Sequence, residues 1–194
     1  MTRSGALAPD PATPHGGVRI FLVGMMGAGK TTTGRLLAER LGWVFLDSDA
    51  EVENETGLTV RQLFARDGEA AFRRTESSAL SRVCQHPEPA VISVGGGAVL
   101  RPENRALLRD SGRVIWLRAR PTTLAARVGD GAGRPLLEGG DDPGAALEAI
   151  DEDRRPLYAE VAHETIDVDD LTPEAVGERI AALTRPGTGT GATS

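Results

Sequence analysis

One run constrains this chain more than any other: Gly24-Met25-Met26-Gly27-Ala28-Gly29-Lys30-Thr31. It follows the apolar run at residues 18–23. A helical pattern then begins at Thr31, with Leu36, Leu37 and Leu41 on one face and Gly42 as its stop. A Gly-x4-Gly-Lys-Thr pattern between a strand and a helix lets successive backbone N–H groups converge on phosphate oxygens. The helix N-terminus adds partial positive charge. Lys30 can reach the β- and γ-phosphates of a nucleotide, and the Thr31 hydroxyl can ligate Mg²⁺. Gly27, Ala28, Gly29, Lys30, Thr31 and Thr32 are therefore the candidate nucleotide contacts.

A strand feeding such a loop needs neighbours. Further short apolar runs at 44–47, 90–94, 113–117 and 164–168 read as strands. Helical patterns lie between them at 50–54, 59–66, 68–84, 102–109, 122–128 and 145–161, with a last one at 172–184. Continuous apolar strands alternating with helices imply a three-layer α/β/α fold around a parallel sheet. The 194 residues suit one domain. Residues 1–17 and 186–194 are too poor in large apolar side chains to order themselves, so they are expected to be a disordered extension and tail around a folded domain at 18–185.

The bulk numbers exclude several roles. A net charge of −6 argues against nucleic-acid or membrane-surface binding. No apolar run approaches a membrane span, and residues 1–17 lack a signal-peptide core. Cys84 is the single cysteine, so no intramolecular disulfide can form. A cytoplasmic, soluble protein is expected. His15, His86 and His163 are isolated, and Trp43 and Trp116 are expected to pack in or near the sheet. There is no Asn-Lys-x-Asp run for guanine and no apolar strand ending Asp-Glu for an ATP-driven motor, which favours a small-molecule kinase.

The other candidates follow strands or sit on helices nearby. Asp47 and Asp49, two apart on an extended chain, would point the same way, one ordering Mg²⁺ waters and the other an acceptor hydroxyl. The alternative is a helix start in which Asp49 or Ser48 is only an N-cap. Arg73 and Glu76, three apart on a helix, could form an ion pair that holds the guanidinium for a carboxylate; the alternative is a solvated charged face. Arg154 and Arg155 make a second pair with the same two readings. Gly95-Gly96-Gly97 would allow a substrate to approach backbone N–H groups. Arg134, in the Gly- and Asp-rich segment at 129–144, could close over phosphates. Two arginine sites, glycine N–H groups and an Asp together imply an acceptor that is a small hydroxylated carboxylic acid.

The motifs, in order, are the glycine loop, Leu46-Asp47-Ser48-Asp49, Asp67-Gly68-Glu69-Ala70-Ala71-Phe72-Arg73-Arg74-x-Glu76, Gly95-Gly96-Gly97-Ala98-Val99, Arg134-Pro135-Leu136-Leu137 and Arg154-x-Pro156-Leu157-Tyr158. This series resembles the shikimate kinase family from about residue 20 to residue 183. The resemblance implies a P-loop kinase fold: a five-stranded parallel sheet of order 2-3-1-4-5, helices on both sides, and a mobile lid at about 129–144. It implies ATP-dependent phosphorylation of the 3-hydroxyl of shikimate in aromatic amino-acid biosynthesis, by a monomer needing Mg²⁺. Asp49 would bind the shikimate hydroxyls and assist deprotonation, Arg73 and Arg154 would hold the carboxylate, and Gly95, Gly96 and Gly97 would line the site. Phe64 and Phe72 would pack on the substrate region. Lys30 and Arg134 would stabilise the transferring phosphoryl group, Thr31 and (through water) Asp47 would hold Mg²⁺, and Arg127 would stack on adenine. The acidic lid segment, Glu138 with Asp141 and Asp142, departs from expectation for a polyphosphate cover and is expected to face water. A gluconate-type sugar-acid kinase and a non-catalytic nucleotide-binding regulator are the alternatives.

Overall fold

The computed structural model describes residues 18–128 and 143–184. The expectations for 1–17, for 129–142 with Arg134, and for 186–194 lie outside the described residues. The strands are β1 (Arg19–Val23), β2 (Val44–Asp47), β3 (Ala90–Ser93), β4 (Arg113–Arg118) and β5 (Glu164–Asp167). The helices are α1 (Lys30–Leu41), α2 (Ser48–Thr56), α3 (Val60–Cys84), α4 (Pro102–Ser111), α5 (Pro121–Val128), α6 (Pro143–Val161) and α7 (Pro173–Leu183). Each expected element is present, with ends moved by a few residues. α6 begins at Pro143, so the last two residues of the segment read as a lid are helical.

All strands pair in parallel, in the order β2-β3-β1-β4-β5. Parallel sheets are covered on both faces, which is why Ile20, Phe21, Leu22, Val91, Ile92, Ile115 and Leu117 are all apolar and buried. Each such side chain contributes roughly 1.5–3 kcal/mol on leaving water. The chain steps from β1 to β2 in one direction and from β3 to β4 in the other. Right-handed crossovers then place α1 opposite α3, α4 and α6. The packing agrees: α1 lies on α7, while α4 lies on α3 and α6.

The reversal of direction at β1 and β3 opens a crevice between their carboxyl ends, where such sheets bind ligands. The glycine loop leaves β1 and the glycine triplet leaves β3, so both border this crevice. α3 is broken at Gly68, whose φ of 77° and ψ of 171° lie outside helical space. Trp116 is buried in the sheet, Trp43 packs partly buried against the core, and Cys84 is buried.

Candidate active site

Gly29 sits at the N-cap of α1 with φ 87° and supplies no side-chain cap, so the first N–H groups of the helix are not consumed by a capping oxygen. A side chain at that φ would be strained, which explains the glycine. Lys30 Nζ lies over the loop and donates to Gly24 O at 2.9 Å and Met25 O at 3.0 Å. The Ala28 N–H bonds Met25 O at 3.2 Å within the loop. Thr31 Oγ1 donates to Asp47 Oδ2 at 2.9 Å and lies 3.3 Å from Ser93 Oγ.

Asp47, Ser48 and Asp49 do not follow one extended chain, which corrects the expectation that the two carboxylates point the same way. Helix α2 begins at Ser48, immediately after β2. Asp47 is the N-cap, accepting from Asp49 N at 3.1 Å through Oδ1 while Oδ2 serves Thr31. The helical turn then sets Ser48 against the glycine triplet, while Asp49 still lines the same cleft as Asp47. Ser48 Oγ accepts the Gly95 N–H at 2.8 Å in a buried bond, and half-buried Asp49 lines the cleft. Burial, then the charge of Asp47, push the Asp49 carboxyl up to about 6; Lys30 and Arg73 pull the other way.

Arg73 is buried, so the ion-pair reading holds over the solvated one. Its Nη1 donates to Glu76 Oε2 at 2.8 Å and its Nη2 to Glu69 Oε1 at 3.1 Å. The rings of Phe72 and Phe64 lie 5.1 and 5.8 Å from its Cζ, a cation–π setting that also dries the guanidinium. Burial lifts the Glu76 carboxyl to about 7, opposed by Arg73. Adjacent Arg74 is the solvated member of that pair.

The glycine triplet is hemmed in. A β-carbon on Gly95 would strike Asp49 Oδ1 and approach Glu76 Oε1 to 2.9 Å, and one on Gly97 would lie 2.6 Å from Arg73 Nη2. Gly96 O accepts from the buried Tyr158 hydroxyl at 2.6 Å. Gly95, expected to line the site through its N–H, spends that N–H on Ser48 instead. Arg154 is buried and reaches the cleft, whereas Arg155 pairs with Asp151. Arg127 lines the cleft on the loop side, with Nη2 donating to Val168 O at 2.8 Å and Asp169 O at 3.3 Å.

One cleft of about 530 Å³ thus gathers Gly27, Gly29, Lys30, Thr31, Thr32, Asp47, Asp49, Arg73, Gly96, Gly97, Arg127 and Arg154. Ala28 and Gly95 are buried and do not line it. Glu76, Ser93 and Glu53 also line it; only Glu76 was singled out from sequence, as a partner for Arg73. Ser48 and Tyr158 carry no lining role but hold the triplet. The site has the parts for an anionic donor at one end and a hydroxylated anion at the other. Thr31, Asp47 and Ser93 form a set of oxygen donors suited to a hard divalent cation beside phosphate. Among the described residues, no helix is long and apolar enough to cross a membrane.

The known proteins most like this chain in sequence include shikimate kinases. The family model for shikimate kinase matches residues 26–184. A shikimate kinase of Synechococcus sp. (strain CC9605) is 49% identical over 189 residues, 94% of this chain and 93% of that protein. One from Burkholderia pseudomallei (strain 1710b) is 49% identical over 154 residues, covering 79% and 82%. The solved shikimate kinase from Acinetobacter baumannii, in complex with shikimate, superposes with a TM-score of 0.82 at 39% identity, covering 86% of this chain and 92% of that one. With the fold, the cleft and this likeness all in agreement, the chain belongs to the shikimate kinase family.

Proposed function

We propose that the chain transfers the terminal phosphoryl group of ATP to the 3-hydroxyl of shikimate, giving shikimate 3-phosphate and ADP. The observation that carries this reading is the placement of Asp49 in the same cleft as Lys30, Arg73 and Arg154. A phosphate-binding helix terminus alone fits any nucleotide enzyme. A carboxylate that shares one cleft with two buried arginines and that terminus fits an acceptor with both hydroxyls and a carboxylate. Nothing in the site favours the sugar-acid kinase or the regulator.

The chain's own residues do the positioning. Loop N–H groups and Lys30 hold the donor phosphates, and Lys30 moves from its carbonyl partners to the transferring group, where charge spreads in the transition state. Arg73, set by Glu76 and Glu69, and Arg154 grip the acceptor carboxylate. Asp49 accepts a hydrogen bond from the attacking hydroxyl; with its carboxyl at about 6 it is mostly ionised at neutral pH yet basic enough to take the proton. Holding both substrates in line converts a bimolecular encounter into a unimolecular one. Mg²⁺, held by Thr31 and through water by Asp47, would neutralise charge on the β- and γ-phosphate oxygens. Arg127 stacks on adenine, and Arg134, in a lid at about 129–144, completes the charge around the phosphoryl group. We place the enzyme in the cytoplasm as a monomer, with residues 18–185 as its one folded domain.

The test is ADP release from Mg-ATP with and without shikimate, with gluconate as a competing acceptor and the product identified by phosphorus NMR. Shikimate-stimulated ADP and a 3-phosphate are expected. ADP release indifferent to shikimate sinks the assignment.

A further inference from the structure

Gly96 and Gly97 line the cleft, and nothing in a run of glycines fixes the direction of their backbone N–H groups. Two hydroxyl groups from opposite elements do so here. Ser48, at the start of α2 and 0% exposed, accepts the Gly95 N–H at 2.8 Å. Tyr158, on α6 and also 0% exposed, donates to Gly96 O at 2.6 Å. The Tyr158 ring is itself held by Trp116, stacked with centroids 5.8 Å apart.

The Ser48 bond anchors the first glycine of the loop, and the Tyr158 bond acts through peptide geometry. Gly96 C=O and Gly97 N–H belong to one planar trans unit and point in opposite directions. Anchoring the carbonyl on Tyr158 therefore aims the Gly97 N–H away from Tyr158. Gly97 borders the Arg73 guanidinium, the group assigned to the acceptor carboxylate. Among the described residues, the Gly96 and Gly97 N–H groups are bonded to no protein oxygen, so both remain to be spent on a ligand. The carbonyl of Gly95 and that of Gly97 are used by Ala98 N and Leu100 N at 3.0 Å each, which completes the loop's internal bonding.

Resting on the shikimate reading, we propose that Ser48 and Tyr158 are positioning residues for acceptor recognition: they orient the Gly96–Gly97 backbone so that its N–H groups meet the carboxylate. Ser48 has a second consequence. It lies between Asp47, bonded to Thr31, and Asp49, so its bond ties the triplet to the same helix start that carries the base. Tyr158 stands four residues after Arg154 on α6, one helical turn away, so the arginine and the loop it works beside are held by one element.

Tyr158→Phe keeps the ring and its stacking and removes only the hydroxyl. Ser48→Ala removes the acceptor, and Ser48→Thr restores one. Losing one buried hydrogen bond at this loop should raise the shikimate KM about tenfold in Tyr158→Phe and in Ser48→Ala. The KM for ATP should stay within about twofold, and Ser48→Thr should recover most of the loss. The sharper readout uses a shikimate analogue with CH₃ in place of the carboxylate, its dissociation constant taken from competition against shikimate. That analogue has no carboxylate for the N–H groups to meet, so its affinity should be the same in wild type and in both variants. Equal weakening of analogue and shikimate would mean a general structural role and overturn the inference, as would an unchanged shikimate KM in Tyr158→Phe. Should Ser48→Ala not fold, Ser48→Cys, a weaker acceptor, takes its place, because the Tyr158 hydroxyl also bonds the Arg154 side chain. A wild type without shikimate-dependent ADP release would instead remove the functional reading beneath it.

Discussion

The Asp49 carboxylate occupies the space that a β-carbon on Gly95 would need. The Asp49 Cγ lies 3.3 Å from that position, its Oδ1 nearer still, and Glu76 Oε1 closes the other side at 2.9 Å. One half-buried and one buried carboxylate therefore pack against a bare backbone, and the glycine is a requirement of the base as much as of the loop.

Gly95→Ala should displace Asp49 rather than simply tighten a turn. Overpacking of this kind costs about 1–3 kcal/mol, enough to lower kcat by ~10²-fold once the base is moved. Gly96→Ala makes the contrast: its added carbon would meet Gly24 O at 3.3 Å and Tyr158 Oη at 3.4 Å but no carboxylate, so its loss should fall on the shikimate KM rather than on kcat. Steady-state kinetics of the two variants should differ by at least about tenfold in kcat. Equal losses would show that Asp49 is not the group Gly95 protects.

Asp49 should carry a stability penalty at the pH where it works. Its folded-state value of about 6 stands above the ordinary 3.8, because burial and Asp47 disfavour the charge. The folded state then binds more protons than the unfolded chain between these values, so stability falls as pH rises from about 4 to about 6 and stays lowered above. Asp49→Asn cannot ionise and escapes the penalty. Near pH 8 it should be more stable than wild type by about 1–3 kcal/mol, while losing shikimate turnover. Thermal melts across pH 4–8 check this: the gap must shrink as pH is lowered. In wild type, kcat/KM should rise with pH as Asp49 ionises near 6. A gap independent of pH would remove the assigned cause.

Arg154 and Arg155 should separate by the kind of damage they cause. Arg154 is buried and lines the cleft; Arg155 pairs with the buried carboxylate of Asp151. Arg154→Ala should raise the shikimate KM roughly 10–100-fold, the value of a hydrogen bond to a charged group. Arg155→Ala should leave that KM alone and lower stability by about 1–3 kcal/mol, since Asp151 is left unpaired. Paired kinetics and denaturant melts distinguish them. A reversed pattern would exchange the two roles.

Much of this site was readable because its parts are local. The strands are short apolar runs, the loop is a contiguous motif, and Arg73 and Glu76 meet within one helical turn. Sheet order came only from family resemblance, since apolar runs carry no record of which neighbour they pair with. The error at Asp47 and Asp49 was a boundary error of two residues: the helix, expected from residue 50, begins at Ser48, which makes Asp47 its N-cap and puts Asp49 in its first turn. The roles of Ser48 and Tyr158 at the triplet were hidden for a different reason. Their bonds to the triplet span 47 and 62 residues, and a serine or tyrosine offers no pattern at such distance. The signals that did exist were the position of Ser48 between two carboxylates and of Tyr158 one turn after Arg154.

Lys30 should separate chemistry from binding. Its ammonium now bonds Gly24 O and Met25 O, both within the loop, so its charge is already held over the phosphate site before a nucleotide arrives. The loop's shape, however, rests on its glycines and on the Ala28–Met25 bond, which Lys30→Ala leaves in place. The variant should therefore fold with a melting temperature near wild type and bind ADP within about tenfold, because loop N–H groups supply most of that contact. Its kcat should fall by ~10³-fold, the scale of a charge that acts on the transferring group in the transition state. Isothermal titration with ADP and single-turnover transfer to shikimate measure the two quantities separately. Turnover kept within about tenfold of wild type would take Lys30 out of the transition state and leave it a loop brace.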